Sequence, residues 1–215
     1  MNRINWIQLR ADFKKIPYLI IGLFLLSLGI TLLRLSGNGL DAWGVFHEGL
    51  SSTIGLPFGV ISILVGFAIL IISLPFKIIP GIGTLMNIIL VGPMIDGLFA
   101  TFNHLNLNNY VLLILGFLIL NFGRAMYISS NMGAGPRDAL YVGITRIFKV
   151  KVTYTKPIIE LSITIVGFLL GGTIGVGLLI LTIFSGKVID LTFRLLKYDS
   201  MNINNTTLLS YLTIY

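Results

Sequence analysis

Cysteine is absent from all 215 residues, which excludes disulfides, thiolate metal sites and cysteine nucleophiles together. Charge is scarce too. Asp, Glu, Lys and Arg make up 11% of the chain, against roughly 25% in soluble domains, so most of the surface is suited to lipid. Two histidines are too few for a multi-histidine metal site within one chain. There is no Walker, HExxH, GxSxG or Rossmann pattern, so nothing points to an enzyme, a cofactor or a metal. What is present is apolar: 55% hydrophobic residues and a mean hydropathy of +0.95. The net charge of +7 comes from basic residues between apolar runs, where membrane topology explains it without a nucleic-acid partner.

A spanning helix needs about 20 apolar residues. Six segments qualify, at 17–35, 57–75, 83–101, 109–128, 154–172 and 174–196. The first follows a basic stretch, as in a signal peptide, but it is too long and lacks a small-residue cleavage site, so it reads as a retained span. Pro75, Pro80-Gly81, Pro157 and Gly171-Gly172 punctuate the joints. Two intervals, 36–56 and 129–152, are too long for turns and too polar for spans. Each opens on a Gly-x-Gly turn and continues as an amphipathic half-helix, Asp41–Leu50 and Pro136–Phe148.

Arg3, Arg10, Lys14, Lys15, Lys77, Arg137, Arg146, Lys149, Lys151, Arg194 and Lys197 all fall on one side if the chain starts in the cytoplasm. The other side carries Asp41 and Glu48 and no lysine or arginine in its loops. The positive-inside rule then places six spans with both termini in the cytoplasm of a plasma-membrane protein. The expected divisions are a cytoplasmic segment (1–16), a first membrane repeat (17–101), a second (109–196) and a cytoplasmic tail (197–215) that the membrane core does not need.

The repeats are legible in the order of their markers. Gly22 and Gly29 return as Gly116 and Gly123, Gly37-Asn38-Gly39 as Gly133-Ala134-Gly135, and Asp41-Ala42 as Asp138-Ala139. Val65-Gly66-Phe67 returns as Val166-Gly167-Phe168, and Gly81-Ile82-Gly83 as Gly175-Val176-Gly177. Gly92, Ile95-Asp96 and Phe99 return as Gly186, Ile189-Asp190 and Phe193, the spacing drifting between 94 and 101. Three crossings per repeat turn the second copy upside down. The expected fold is an all-α membrane protein of two inverted three-helix repeats, each with a short re-entrant or interfacial helix, a pattern found in secondary transporters.

Two sets of residues could carry function. Gly37, Gly39 and Asp41, with Gly133, Gly135 and Asp138, mark the half-helix starts, whose free N–H groups would converge on an anion or polar solute if both dip into the membrane. Asp41 and Asp138 also read as N-caps, with Pro136 at a helix start. Charges within spans are costly in lipid and face a partner or a cavity. Arg34 and Asp96, and Arg124 and Asp190, lie at matched depths and read as two pseudo-symmetric ion pairs, with a bracing or a coupling role. Glu160 has no counterpart in the first repeat and pairs with Lys156 one turn earlier or binds a proton or cation; Lys187 sits one turn from Asp190. Asn87 and Asn121 suit interhelical packing. His47, Glu48 and His104 fall on the outer side without metal-site spacing, and Trp43 reads as an interfacial anchor.

The run Gly39-Leu40-Asp41-Ala42-Trp43, then His47-Glu48-Gly49-Leu50, Gly55-Leu56, Gly59, Val65-Gly66, Pro80-Gly81-Ile82-Gly83-Thr84 and Asn87, resembles the YczE-like integral membrane proteins of the YczE/YyaS/YitT group. The second block, Gly133 to Ala139, extends the similarity over nearly the whole chain. Ala42 stands where many relatives would carry proline. The resemblance implies a Gram-positive-type plasma-membrane protein and no particular substrate. The function expected on these grounds is a small secondary transporter or permease for a small solute, its pathway between the repeats. The competing class is a non-transporting subunit or scaffold. The expected partners are the bilayer, the solute, and a second copy or a separate subunit.

Overall fold

A computed structural model of the chain describes residues 3–4, 6–76, 79–104, 107–133, 135–150, 152–199 and 205–213. Its framework is helical: α1 (Trp6–Phe13), α2 (Ile16–Ser36), α3 (Ala42–Ile54), α4 (Phe58–Ser73), α5 (Ile82–Phe102), α6 (Asn109–Ser129), α7 (Pro136–Phe148), α8 (Val152–Leu169) and α9 (Val176–Leu195). A two-residue ladder joins β1 (Arg3–Ile4) to β2 (Leu212–Thr213).

Helices occupy all six segments expected to span, but among the described residues four of them, α2, α5, α6 and α9, are long and apolar enough to cross a bilayer. A fifth crossing arises if α3 and α4, bent by 113° at the break between them, count as one broken span. The sequence window for α4 was longer than the helix: its 16 residues reach about 24 Å at 1.5 Å per residue, short of the ~30 Å hydrocarbon core. The fifth expected segment is shifted, since α8 starts at Val152 and stops at Leu169. Pro157 lies within α8 and not at a joint. α5 runs unbroken through Pro93.

The core is the seam between α2 and α6, the two most buried of the four long helices. They run antiparallel and their backbones nearly touch. A Cβ on Gly22 would stand 2.8 Å from the Tyr127 amide nitrogen, and one on Gly116 would stand 2.9 Å from that of Leu33. One on Gly29 would collide with Leu120, and one on Gly123 with Leu26. Between helices in lipid, such close approach is what small residues contribute, because dispersion replaces the hydrophobic drive. The partners cross over: Gly22 faces the Gly123 end of the seam and Gly29 faces Gly116. α5 lies parallel to α2, with the Ser27 and Thr31 hydroxyls directed at the Val91 and Ile95 carbonyls while bonded to their own helix.

Other contacts come in corresponding couples. α3 packs on α8 and α7 on α4; α2 packs on α5 and α6 on α9; α3 meets α4 and α7 meets α8. The Gly177 amide donates to the Asn38 carbonyl at 2.7 Å, and the Gly83 amide to the Met132 carbonyl at 2.7 Å. These joints correct the register of the turns. Positive φ occurs at Gly37, Gly39 and Gly55, and again 94 positions on at Asn131, Gly133 and Lys149. Gly39 therefore corresponds to Gly133, not to Gly135, and the N-cap Asp41 to the N-cap Gly135. Asp138 is not the equivalent of Asp41: it is the third residue of α7, and its side chain and Ala134 lie outside the described residues. The two turns share left-handed positions at an offset of 94, whereas Asp41 and Asp138 are 97 apart (138 − 41).

The tail also departs from expectation. Its described residues fold back on the bundle: the Thr206 amide donates to the Asn131 carbonyl, the Leu208 amide to the Pro80 carbonyl, and the Tyr211 hydroxyl to Asp12 at 2.7 Å. The extension is part of the fold, wedged beneath the joint of Gly81 and Gly133.

Candidate functional site

Asp41 caps α3, its Oδ1 accepting from the Gly44 amide at 2.8 Å. Its other oxygen, Oδ2, accepts from two arginines, Arg124 of α6 at 3.2 Å and Arg137 of α7 at 3.3 Å. One carboxylate from the first half of the chain thus holds two cations from the second. Arg137 also stands over the Trp43 ring, 5.2 Å from its centroid. The Trp43 indole N–H donates to the Tyr141 hydroxyl at 2.8 Å, and that hydroxyl donates to Glu160 Oε1 at 3.2 Å. Lys156 approaches the same oxygen at 3.9 Å. A polar chain therefore runs from α3 through α7 to α8.

These groups line a cavity of about 260 Å³. Both short-helix starts open into it, Asp41 from α3 and Gly135, Pro136 and Arg137 from α7. Much of the remaining lining is hydrocarbon: Leu26, Ile30 and Leu33 of α2, Val91 and Ile95 of α5, and Leu120 of α6. Three basic side chains (Arg124, Arg137, Lys156) face two carboxylates (Asp41, Glu160), so the lining carries one excess positive charge. His47 lies in the wall beside Asn87 and Ser62, 3% exposed, and its Nε2 has no hydrogen-bond partner among the described residues. An unpaired buried nitrogen costs about 1–3 kcal/mol, and such a cost persists where a ligand relieves it or function requires it.

The expected ion pairs are not formed. Arg124 turns to Asp41, not to Asp190, which is exposed on α9. Arg34 makes no ion pair with Asp96; its guanidinium lies between the rings of Phe58 and Phe99, 4.3 Å from each centroid. Asp96 instead accepts from the Gly59 amide at 2.9 Å, satisfying an open N–H at the start of α4. Matched depth placed these charges at one level, but aromatic faces and a helix start competed for them. Lys187 is exposed, 5.9 Å from the Phe184 ring, and does not share a pocket with Asp190. The Lys156–Glu160 pair is present, with Tyr141 added.

Gly37 is exposed at the turn, whereas Gly39 packs on Gly175 and Gly133 on Gly81, so these glycines shape the turns and Gly135 alone of the four lines the cavity. Glu48 accepts from the Thr173 amide at 2.7 Å. His47 and His104 are not brought together: His104 is exposed past the end of α5. Trp43 is 5% exposed and so is a site residue, not an interfacial anchor. Sequence reasoning missed Trp43, Arg137 and Tyr141 as site residues. The available signal was helical spacing from each start, with Trp43 and His47 four apart on α3, and Arg137 and Tyr141 four apart on α7.

A family model described as a family of unknown function (DUF6198) matches residues 13–194. The chain belongs to that family. It is 33% identical over 175 residues to the uncharacterized membrane protein YczE of Bacillus subtilis, covering 78% of this chain and 80% of YczE. An uncharacterized protein of Haemophilus influenzae is 32% identical over 183 residues, 84% of each chain. The uncharacterized protein YyaS of Bacillus subtilis is 25% identical over 196 residues, 88% of this chain and 98% of YyaS. The family resemblance read from the residues is thereby established, and with the apolar helices it makes this a membrane protein. No solved structure matches.

Proposed function

We propose that the chain is a small secondary transporter or permease of the plasma membrane, not an enzyme, with a small solute crossing between two inverted repeats. Six helical crossings, two of them shortened by the α3 and α7 corners, would leave both termini in the cytoplasm, as the lysines and arginines require. The observation that carries the reading is the shared cavity. Two short helices from corresponding positions in the chain start at one cavity, the arrangement in which broken helices build midplane solute sites. The crossed glycine pairs of α2 and α6 support it, because they are what a two-fold axis between inverted halves generates. Irregular backbone is tolerated at membrane depth where it lines such a space.

Uptake into proteoliposomes tests it. Purified protein is reconstituted under proton and sodium gradients, supplied with a mixture of small metabolites, and the vesicle contents are identified by mass spectrometry. At least one solute should accumulate above protein-free vesicles, and Ser62→Trp, which fills the cavity from α4, should abolish that accumulation. If no solute exceeds the protein-free level under either gradient, the permease reading fails and a subunit or scaffold role takes its place.

A further inference from the structure

We infer that the cavity binds a small organic anion, a carboxylate carried on a short hydrocarbon body, in the place that Asp41 now occupies on Arg124 and Arg137. The inference rests on the permease reading and names the class of its solute. Asp41 Oδ2 takes one donor from each arginine, at 3.2 and 3.3 Å. A guanidinium offers five donors in a fork matched to carboxylates, and Arg124 gives one of its donors to Asp41, so its fork exceeds what that oxygen can use. Asp41 is thus an internal stand-in for the solute's head group. The start of α7 adds open backbone N–H groups to the same space. The buried, unpartnered His47 Nε2 supplies one further polar contact that nothing within the described chain satisfies.

The rest of the lining selects the body. An inorganic anion would leave the Leu26, Ile30 and Val91 wall facing nothing, whereas a short alkyl chain would cover it. The volume of about 260 Å³ lies below the ~300–1,000 Å³ of drug-sized sites, so the solute is a small metabolite and not a lipid.

The test uses the full chain in phospholipid-free detergent, in a Trp6→Phe background that leaves Trp43 as the sole tryptophan. Its fluorescence is titrated with butyrate, butylamine, butanol and inorganic phosphate. Butyrate should give a saturable change, with phosphate at least tenfold weaker and the amine and alcohol without effect. Arg124→Gln should weaken butyrate at least tenfold. Asp41→Asn should strengthen it severalfold, because it removes the internal competitor while asparagine keeps the α3 cap; a merely structural Asp41 would weaken it. A response to amine or alcohol equal to that for butyrate overturns the anion assignment and leaves the permease reading standing. Weakening by Asp41→Asn, phosphate equal to butyrate, or no saturable response to any probe overturns it as well. The permease reading is decided separately, by the uptake assay.

Discussion

At the residue scale, Asp41 does two jobs that two substitutions separate. Asp41→Ala loses the hydrogen bond to Gly44, worth about 1 kcal/mol at an N-cap, and also strips both arginines of their anion. Asp41→Asn loses the charge alone. Thermal unfolding in detergent should therefore show a larger drop for alanine than for asparagine. Asp12 predicts a pH dependence at the other end of the molecule. Burial disfavours its charged form, but hydrogen bonds from Lys15, Tyr211 and Gln8 outweigh that and hold the carboxyl below the usual range. With the folded value below the unfolded ~3.9, its stabilisation is fully present above about pH 4 and lost as pH falls through the folded value. Wild type should lose stability on acidification in that window, and Asp12→Asn should start lower at neutral pH and lose less. The Asp41 cap was legible in the sequence because a small acidic residue before an amphipathic stretch has few other uses. Its two arginines were not, since they come from 83 and 96 positions away and depth alone cannot choose among partners.

At the element scale, the α2–α6 seam sets how closely the halves approach. Gly29→Leu or Gly123→Leu would push a side chain into the facing backbone, costing about 1–3 kcal/mol or more for overpacking. Gly97 and Gly186 face open space, so alanine there should be neutral. Expression and melting temperature of the four variants check the contrast: equal tolerance at all four would mean the seam is looser than described. The spans were readable as apolar runs, and the heptad-spaced glycines were visible. The ends of α4 and α8 were not, because apolar composition continues through Leu74–Phe76, where the chain leaves the α-helix at Pro75, and past Leu169 to the turn at Gly171. Nor was the 94-residue register of the turns, where Asn131 and Lys149 take left-handed conformations that sequence matching assigns first to glycine.

At the scale of the whole molecule, the tail ties the chain's ends to each other and to the base of the bundle. Its loss removes the Tyr211–Asp12 and Leu208–Pro80 hydrogen bonds, so a chain truncated before residue 205 should melt lower than wild type and show a weaker acid dependence, because Lys15 and Gln8 still hold Asp12. The asparagine- and threonine-rich stretch has no apolar run, yet it docks through the Thr206 and Leu208 amides and the Tyr211 hydroxyl. The central claim is that α3 and α7 belong to halves of opposite orientation that meet at one cavity. The measurement that tests it most directly is thiol labelling of Ser52→Cys, in the last turn of α3, and Val150→Cys, just past α7, in intact cells with a membrane-impermeant reagent; the native chain has no cysteine to interfere. The account predicts that Ser52→Cys labels from outside and that Val150→Cys labels only after permeabilisation. Labelling of both from the same face would contradict it.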